Sequence, residues 1–168
     1  MKLNIGSGEM KYDDYVNIDF VNLDESPIGA IKPDIVADAK SLPFKNDIFE
    51  EVHMTEVIEH IERRYTDIVL NEIWRVLEKN GMFYFTFPDF IECMKGFIEN
   101  QYGARWQVFH ATLYGRQAHK GDYHVHAIEL QDIITKLFNA GFVNVKHEIE
   151  PWDYRITCYK GEKLPTYL

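Results

Sequence analysis

His124 and His126 are separated by one residue, with Asp122 and His119 just upstream and His110 further back. Imidazole titrates near pH ~6.5, so a histidine in such a set can take a proton from a hydroxyl or an amine at neutral pH. Histidine and aspartate are also ordinary ligands of divalent metals, and an extended His-x-His aims both rings at one point. The third reading is a polar loop without chemistry. Glu59-His60 is a second candidate, a carboxylate beside an imidazole, whose plain alternative is to cap and pack the helix that follows. His124, His126, His60 and Glu59 are thus the catalytic candidates, and no residue is assigned to a metal.

Four further motifs suit binding rather than proton transfer. Gly6-Ser7-Gly8 lets the backbone turn sharply and lets a ligand approach without side-chain obstruction. Asp19 ends an apolar run, where a carboxylate can accept from both hydroxyls of a ribose. Asp38 can accept from an exocyclic amine, with Leu42 and Phe44 as an apolar floor. Thr55 opens the segment that leads to Glu59-His60. Each motif alone also reads as a turn, a cap or a packed loop. Four in order are more specific than any one.

The elements that must position these residues alternate along the chain. Short apolar runs bounded by Gly, Pro and Asp stand at 2–5, 15–19, 34–37, 50–54 and 82–87. Such runs suit strands buried on both faces of a parallel sheet. Val69, Leu70, Ile73, Val76 and Leu77 recur at helical spacing and predict a helix over 66–79, stopped by Asn80-Gly81. A second helix is expected over 129–140, stopped by Gly141, followed by an antiparallel pair at 142–147 and 154–159. Residues 89–114 read as weaker helix. The expectation is one α/β domain over 1–168 with a mostly parallel sheet, and a helical and loop insertion at about 89–127 on the acceptor side. In such sheets ligands bind beyond the carboxyl ends of the strands.

Composition narrows the classes. The 168 residues carry 18 Lys and Arg against 27 Asp and Glu, a net charge of −9. That balance favours a small-molecule partner over nucleic acid. No run of about 18 apolar residues stands in the chain, so no membrane span is expected. Two cysteines, Cys93 and Cys158, make no secreted disulfide framework and read as reduced thiols of a cytoplasmic protein.

The sequence resembles the class I S-adenosylmethionine-dependent methyltransferases of the small-molecule type, Rossmann-like in fold. The resemblance rests on Leu3-Asn4-Ile5-Gly6-Ser7-Gly8, Val16-Asn17-Ile18-Asp19, Asp38 with Leu42-Pro43-Phe44, residues 47–52, Glu59-His60-Ile61, and residues 72–77 with Asn80-Gly81. It implies that S-adenosylmethionine is the cofactor. Gly6, Ser7 and Gly8 would line its methionine end and Asp19 would hold the ribose, with Phe20 beside the adenine. Asp38 and Ala39 would read the adenine edge over Leu42, and Thr55 would line the floor near the sulfonium. Three departures stand out: Asn4 replaces a common acidic residue, Met10 a common glycine, and only seven residues, 9–15, precede the second strand. That span is too short for a crossover helix, and the chain starts at the first strand. One sheet face is therefore expected to lack cover, and a homodimer to bury it. The expected activity is methyl transfer to an oxygen or nitrogen of a small, sugar-like acceptor. The rivals are a binding module without transfer, a nicotinamide-dependent oxidoreductase and a metal-dependent hydrolase. The oxidoreductase is disfavoured because Lys11 holds the third glycine place of its fingerprint.

Overall fold

The computed structural model describes residues 1–8, 10–20, 32–99, 106–118, 121–150 and 152–163. The apolar runs form strands β1 (Lys2–Ile5), β2 (Tyr15–Asp19), β3 (Ile35–Val36), β4 (Phe49–Thr55), β5 (Leu77–Pro88), β6 (Phe142–Glu150) and β7 (Asp153–Lys160). They make one sheet in the order β3-β2-β1-β4-β5-β7-β6. β1 to β5 run parallel, and β7 inserts antiparallel between β5 and β6. The expected α/β fold with a closing antiparallel pair is present. The chain leaves β1 toward β2 and β3, then returns to β4 on the other side. The carboxyl ends of β1 and β4 therefore flank a switch point, where such sheets bind ligands.

Among the described residues four α-helices accompany the sheet: α1 (Thr66–Val76), α2 (Phe90–Ile98), α3 (Trp106–Tyr114) and α4 (Leu130–Ala140). Helix α1 buries Val69, Leu70, Ile73 and Val76, and α4 buries Ile133, Leu137 and Ala140. Glu129 caps α4 by accepting from the N–H of Gln131 and Asp132, and Gly141 ends it at φ 99°. Both helices join one core with Leu3, Ile5, Ile18, Val52, Met54, Phe83, Phe85, Phe87 and Ile156. The alternation along β5 sends its three phenylalanines to this side, each fully buried and worth roughly 1.5–3 kcal/mol.

Asn80-Gly81 does not stop α1. The helix ends at Val76, and Leu77, extended at ψ 141°, begins β5 directly. Leu77 pairs with Phe49 and its side chain enters the core, which outweighs a further helical turn. Asn80, at φ 62°, and Gly81 form a bulge in β5, and the pairing steps from Phe49–Leu77 to Glu51–Met82. A Cβ on Gly81 would stand 2.9 Å from the Glu78 carbonyl and 3.1 Å from that of Phe49.

Between β1 and β2 no described residue is helical. A polar network fills that role. Asn4 Nδ2 donates to the Met10 carbonyl and to Asn17 Oδ1, each at 3.0 Å. Asn17 Oδ1 accepts from the Tyr12 N–H at 2.9 Å, and its Nδ2 donates to the Tyr12 carbonyl at 3.0 Å. Outside the network, Tyr12, Tyr15, His53 and Tyr84 pack ring against ring, with successive centroids 4.9–5.2 Å apart. These side chains lie on the face opposite α1 and α4, outside the core.

Candidate active site

The carboxyl ends of β1, β2 and β4 open on a cavity of about 340 Å³, whose lining includes Gly6, Ser7, Gly8, Asp19, Phe20 and Thr55. A neighbouring cavity of about 150 Å³ is lined by Asp19, Phe20, Asp38, Ala39, Ile61 and Tyr65 among others. Gly6 sits at φ 69°, and a Cβ there would lie 2.3 Å from Val57 Cγ2. The position therefore demands glycine on both counts. A Cβ on Gly8 would meet nothing nearer than 3.9 Å, so that backbone faces open space. Asp19, buried at the tip of β2, accepts from the Gly8 N–H at 2.9 Å and ties the glycine loop to the second strand. Ser7 Oγ is buried without a hydrogen-bond partner at the cavity wall.

The adenine-side expectations divide. Asp38 and Ala39 line the smaller cavity, and Asp38 also accepts from the Lys40 N–H at 2.9 Å to close its own turn. Leu42 packs in the core instead. Its N–H donates to Glu72 Oε2 at 2.8 Å, and Arg75 donates to the carbonyls of Leu42 and Phe44. The α1 pair Glu72–Arg75 thus pins the 38–46 loop from behind. Phe20 is largely exposed and lies against Gly121, where a Cβ would meet the ring at 2.4 Å.

That contact shows residues 121–127 folded over the strand ends. The Val125 N–H donates to the Glu59 carbonyl at 2.9 Å, and the His124 N–H to that of Tyr114 at 3.2 Å. A third cavity, of about 310 Å³, lies beneath the segment and is lined by Glu56, His60, Thr112, Arg116, Asp122, His124 and Asp153 among others. Glu56, His60, Arg116 and Asp122 line both this cavity and the one of about 340 Å³.

The structure brings Glu59, His60 and His124 together. His60 Nε2 is 4.0 Å and His124 Nε2 3.9 Å from Glu59 Oε1. Burial pushes the Glu59 carboxyl well above its ordinary range, and the adjacent Glu56 carboxylate adds to the shift. Burial lowers the His124 pKa and favours its neutral form. His126 is not part of this group; its charged surroundings are Arg63, Asp132 and Lys136. His119 lies outside the described residues.

Glu56, Arg116 and Asp153 carry no motif that marks them in the sequence. Glu56 was visible only as the carboxylate three residues before Glu59. It holds φ 52°, rare for a side-chain-bearing residue, and accepts from Thr86 Oγ1 at 2.6 Å. Asp153 starts β7 and reaches the cavity because β7 pairs with the end of β5.

Residues 3–85 match a family profile described as a methyltransferase domain. The fold is similar to that of an S-adenosylmethionine-dependent methyltransferase from Methanosarcina mazei, with a TM-score of 0.63 at 16% identity over 96% of this chain and 92% of that one. It is similar to another from Archaeoglobus fulgidus, with a TM-score of 0.64 at 14% identity over 95% and 85% of the two chains. A Bordetella parapertussis protein matches with a TM-score of 0.54 at 13% identity, over 76% of this chain but only 43% of its own length. No curated protein matches the sequence. Residues 3–85 are thus similar to a methyltransferase domain, and the whole chain shares the fold of S-adenosylmethionine-dependent methyltransferases. S-adenosylmethionine is the cofactor of that class, and the glycine cradle, the unpartnered Ser7 hydroxyl and Asp19 at the strand tips fit it.

Proposed function

We propose that the chain transfers a methyl group to an oxygen or nitrogen of a small, sugar-like acceptor. One observation carries the reading: the cavity beyond the strand ends shares a wall with a second cavity of about 310 Å³. That size stands at the lower end of small-ligand sites. Its carboxylates, Arg116 and the Thr112 backbone offer many hydrogen-bonding groups, which suits a hydroxyl-rich acceptor. Segment 89–127 is then the acceptor side of the domain.

S-adenosylmethionine supplies a methyl group already activated on a sulfonium, so the protein's task is alignment and the exclusion of water. Gly6, Ser7 and Gly8 would hold its amino-acid end, Asp19 the ribose, and Phe20, Asp38 and Ala39 the adenine. Thr55, which lines the same cavity, would form the floor near the sulfonium. An acceptor held in the second cavity would take the methyl group on an oxygen or nitrogen lone pair, the carbon–sulfur bonding pair would stay with the sulfur, and the acceptor's proton would pass to the shared wall. There Glu56 presents a carboxylate and His60 an imidazole, with His124 beside them in the second cavity and Glu59 behind both rings.

No described helix is long and apolar enough to cross a membrane, and both cysteines are buried and free. A cytoplasmic location, and a homodimer formed through the aromatic sheet face, belong to the same proposal. The activity is tested by incubating the chain with S-adenosylmethionine labelled in the methyl group and a panel of monosaccharides and amino sugars. Label in an acceptor product is expected. Demethylated cofactor without a labelled product, or no turnover on any acceptor, contradicts the reading.

A further inference from the structure

Glu59 is fully buried, and among the described residues its carboxylate oxygens meet no hydrogen-bonding group apart from the neighbouring Glu56 carboxyl. Its ligand atom and one ring nitrogen from each of His60 and His124 lie within 4.8 Å of one another. The opposite nitrogen of each ring is committed to a backbone carbonyl. His60 Nδ1 stands 3.0 Å from the Tyr123 oxygen, and His124 Nδ1 stands 2.7 Å from the Thr112 oxygen. A carbonyl only accepts, so each Nδ1 carries a hydrogen. A neutral imidazole has one N–H, and each Nε2 then turns a lone pair toward the carboxylate.

With Glu59 as the carboxylate, the trio is three electron-pair donors aimed at one point. Such a convergence is unfavourable alone and favourable around a cation. The Nε2–Oε1 separations of 3.9 and 4.0 Å are too long for hydrogen bonds. They approach the edges of a coordination polyhedron, where ligands about 2.0–2.2 Å from a metal stand about 3–3.6 Å apart. Carbonyl bonds on the far ring nitrogens are the outer contacts that fix the tautomer of metal-binding histidines. The rings also pack edge to face, with centroids 4.8 Å apart, and this holds their orientation.

We propose that Glu59, His60 and His124 bind a divalent transition-metal cation of the zinc, manganese or iron(II) kind at the wall of the second cavity. Two imidazoles and one carboxylate suit such ions and leave coordination positions open. His60 and His124 line the cavity, so the open positions face it. There the ion holds and polarises an acceptor oxygen. That role rests on the methyl-transfer reading, whereas the metal site rests on the geometry alone. With the ion bound, the imidazoles are ligands and Glu56 is the proton acceptor left on the shared wall.

The test uses the whole chain, freed of metal with a chelator and titrated with Co²⁺ alone, followed by visible absorption and calorimetry. One equivalent is expected to bind, with the absorption bands of a nitrogen- and oxygen-ligated ion. Glu59→Gln and His124→Ala are each expected to weaken binding by about tenfold or more. His147→Ala, at an exposed histidine of β6, should leave it unchanged. Should Glu59→Gln not fold, His60→Gln takes its place. Absence of saturable Co²⁺ binding overturns the site, as does binding that survives every ligand substitution. S-adenosylhomocysteine is titrated into the same samples. Co²⁺ binding without nucleoside binding supports the metal site and overturns the methyl-transfer reading; nucleoside binding without Co²⁺ binding does the reverse.

Discussion

Asp19 does two things at once. Its Oδ2 fixes the Gly8 N–H, and its carboxylate stands at the wall shared by the two cavities on the nucleoside side. Asp19→Ala is expected to weaken S-adenosylhomocysteine binding by about 1.5–3 kcal/mol, the usual worth of charge-assisted hydrogen bonds. An unchanged affinity by calorimetry would remove Asp19 from the site. Gly6→Ala places a methyl group 2.3 Å from Val57 at a left-handed backbone angle. It should cost about 1–3 kcal/mol of stability, read as a lowered midpoint in urea. An unchanged midpoint would contradict the close approach of Val57. These residues were legible because their types sit directly after apolar runs, where strand ends must fall. Arg116 and Asp153 were not. They reach the cavity through a folded-back segment and a long-range strand pairing, and neither leaves a local pattern. His126 shows the converse. Its spacing from His124 suggested a shared focus that only a regular extended strand would impose, and the 121–129 segment is not a strand.

At the scale of elements, the β1–β2 connection is the part that departs most from a helical crossover. Asn4 and Asn17 satisfy the loop's backbone groups in place of a helix. Asn17→Leu orphans several of these buried partners at once. A loss of about 2–3 kcal/mol is expected, or about 4–12 °C in Tm for a chain of this size; calorimetry showing a shift near zero would refute the bracing role. Asn17 is braced in turn by Asp34, which accepts from its backbone N–H at 2.8 Å. The hydrogen bond from Lys11 holds the Asp34 carboxyl down to about 2. Its folded value lies below its unfolded one. The contribution is therefore complete above about pH 4 and lost as pH falls through about 2. Both groups are about one-third exposed, so screening keeps the effect below about 1 kcal/mol. Urea unfolding of the wild type and Asp34→Asn should differ at pH 6 and converge near pH 2. A gap that persists in acid contradicts the assignment. The strands and α4 were readable from apolar runs and the Gly141 stop. The end of α1 was not, because Asn80-Gly81 carries the same signal in a helix stop as in a β-bulge. The pairing of Leu77 with Phe49, which decides between them, spans 28 residues of sequence.

At the scale of the molecule, one sheet face is helix-covered and the other presents Tyr12, Tyr15, His53 and Tyr84 beside the Lys2–Glu51 ion pair. Aromatic groups ringed by charge are the usual make-up of a protein contact. Sedimentation velocity at micromolar concentration should show a dimer, and Tyr84→Lys should shift it toward monomer. A monomer at every concentration contradicts the shared face. The short connection over 9–15 points to a sheet face without helical cover, whereas the split into two adjoining cavities depends on where the chain after α3 comes to rest.

The direct measurement of the whole account is calorimetric titration of the chain with S-adenosylhomocysteine. It should give saturable binding at one nucleoside per chain, weakened by Asp19→Ala. A flat titration up to millimolar nucleoside, with the chain shown to be folded, would contradict it.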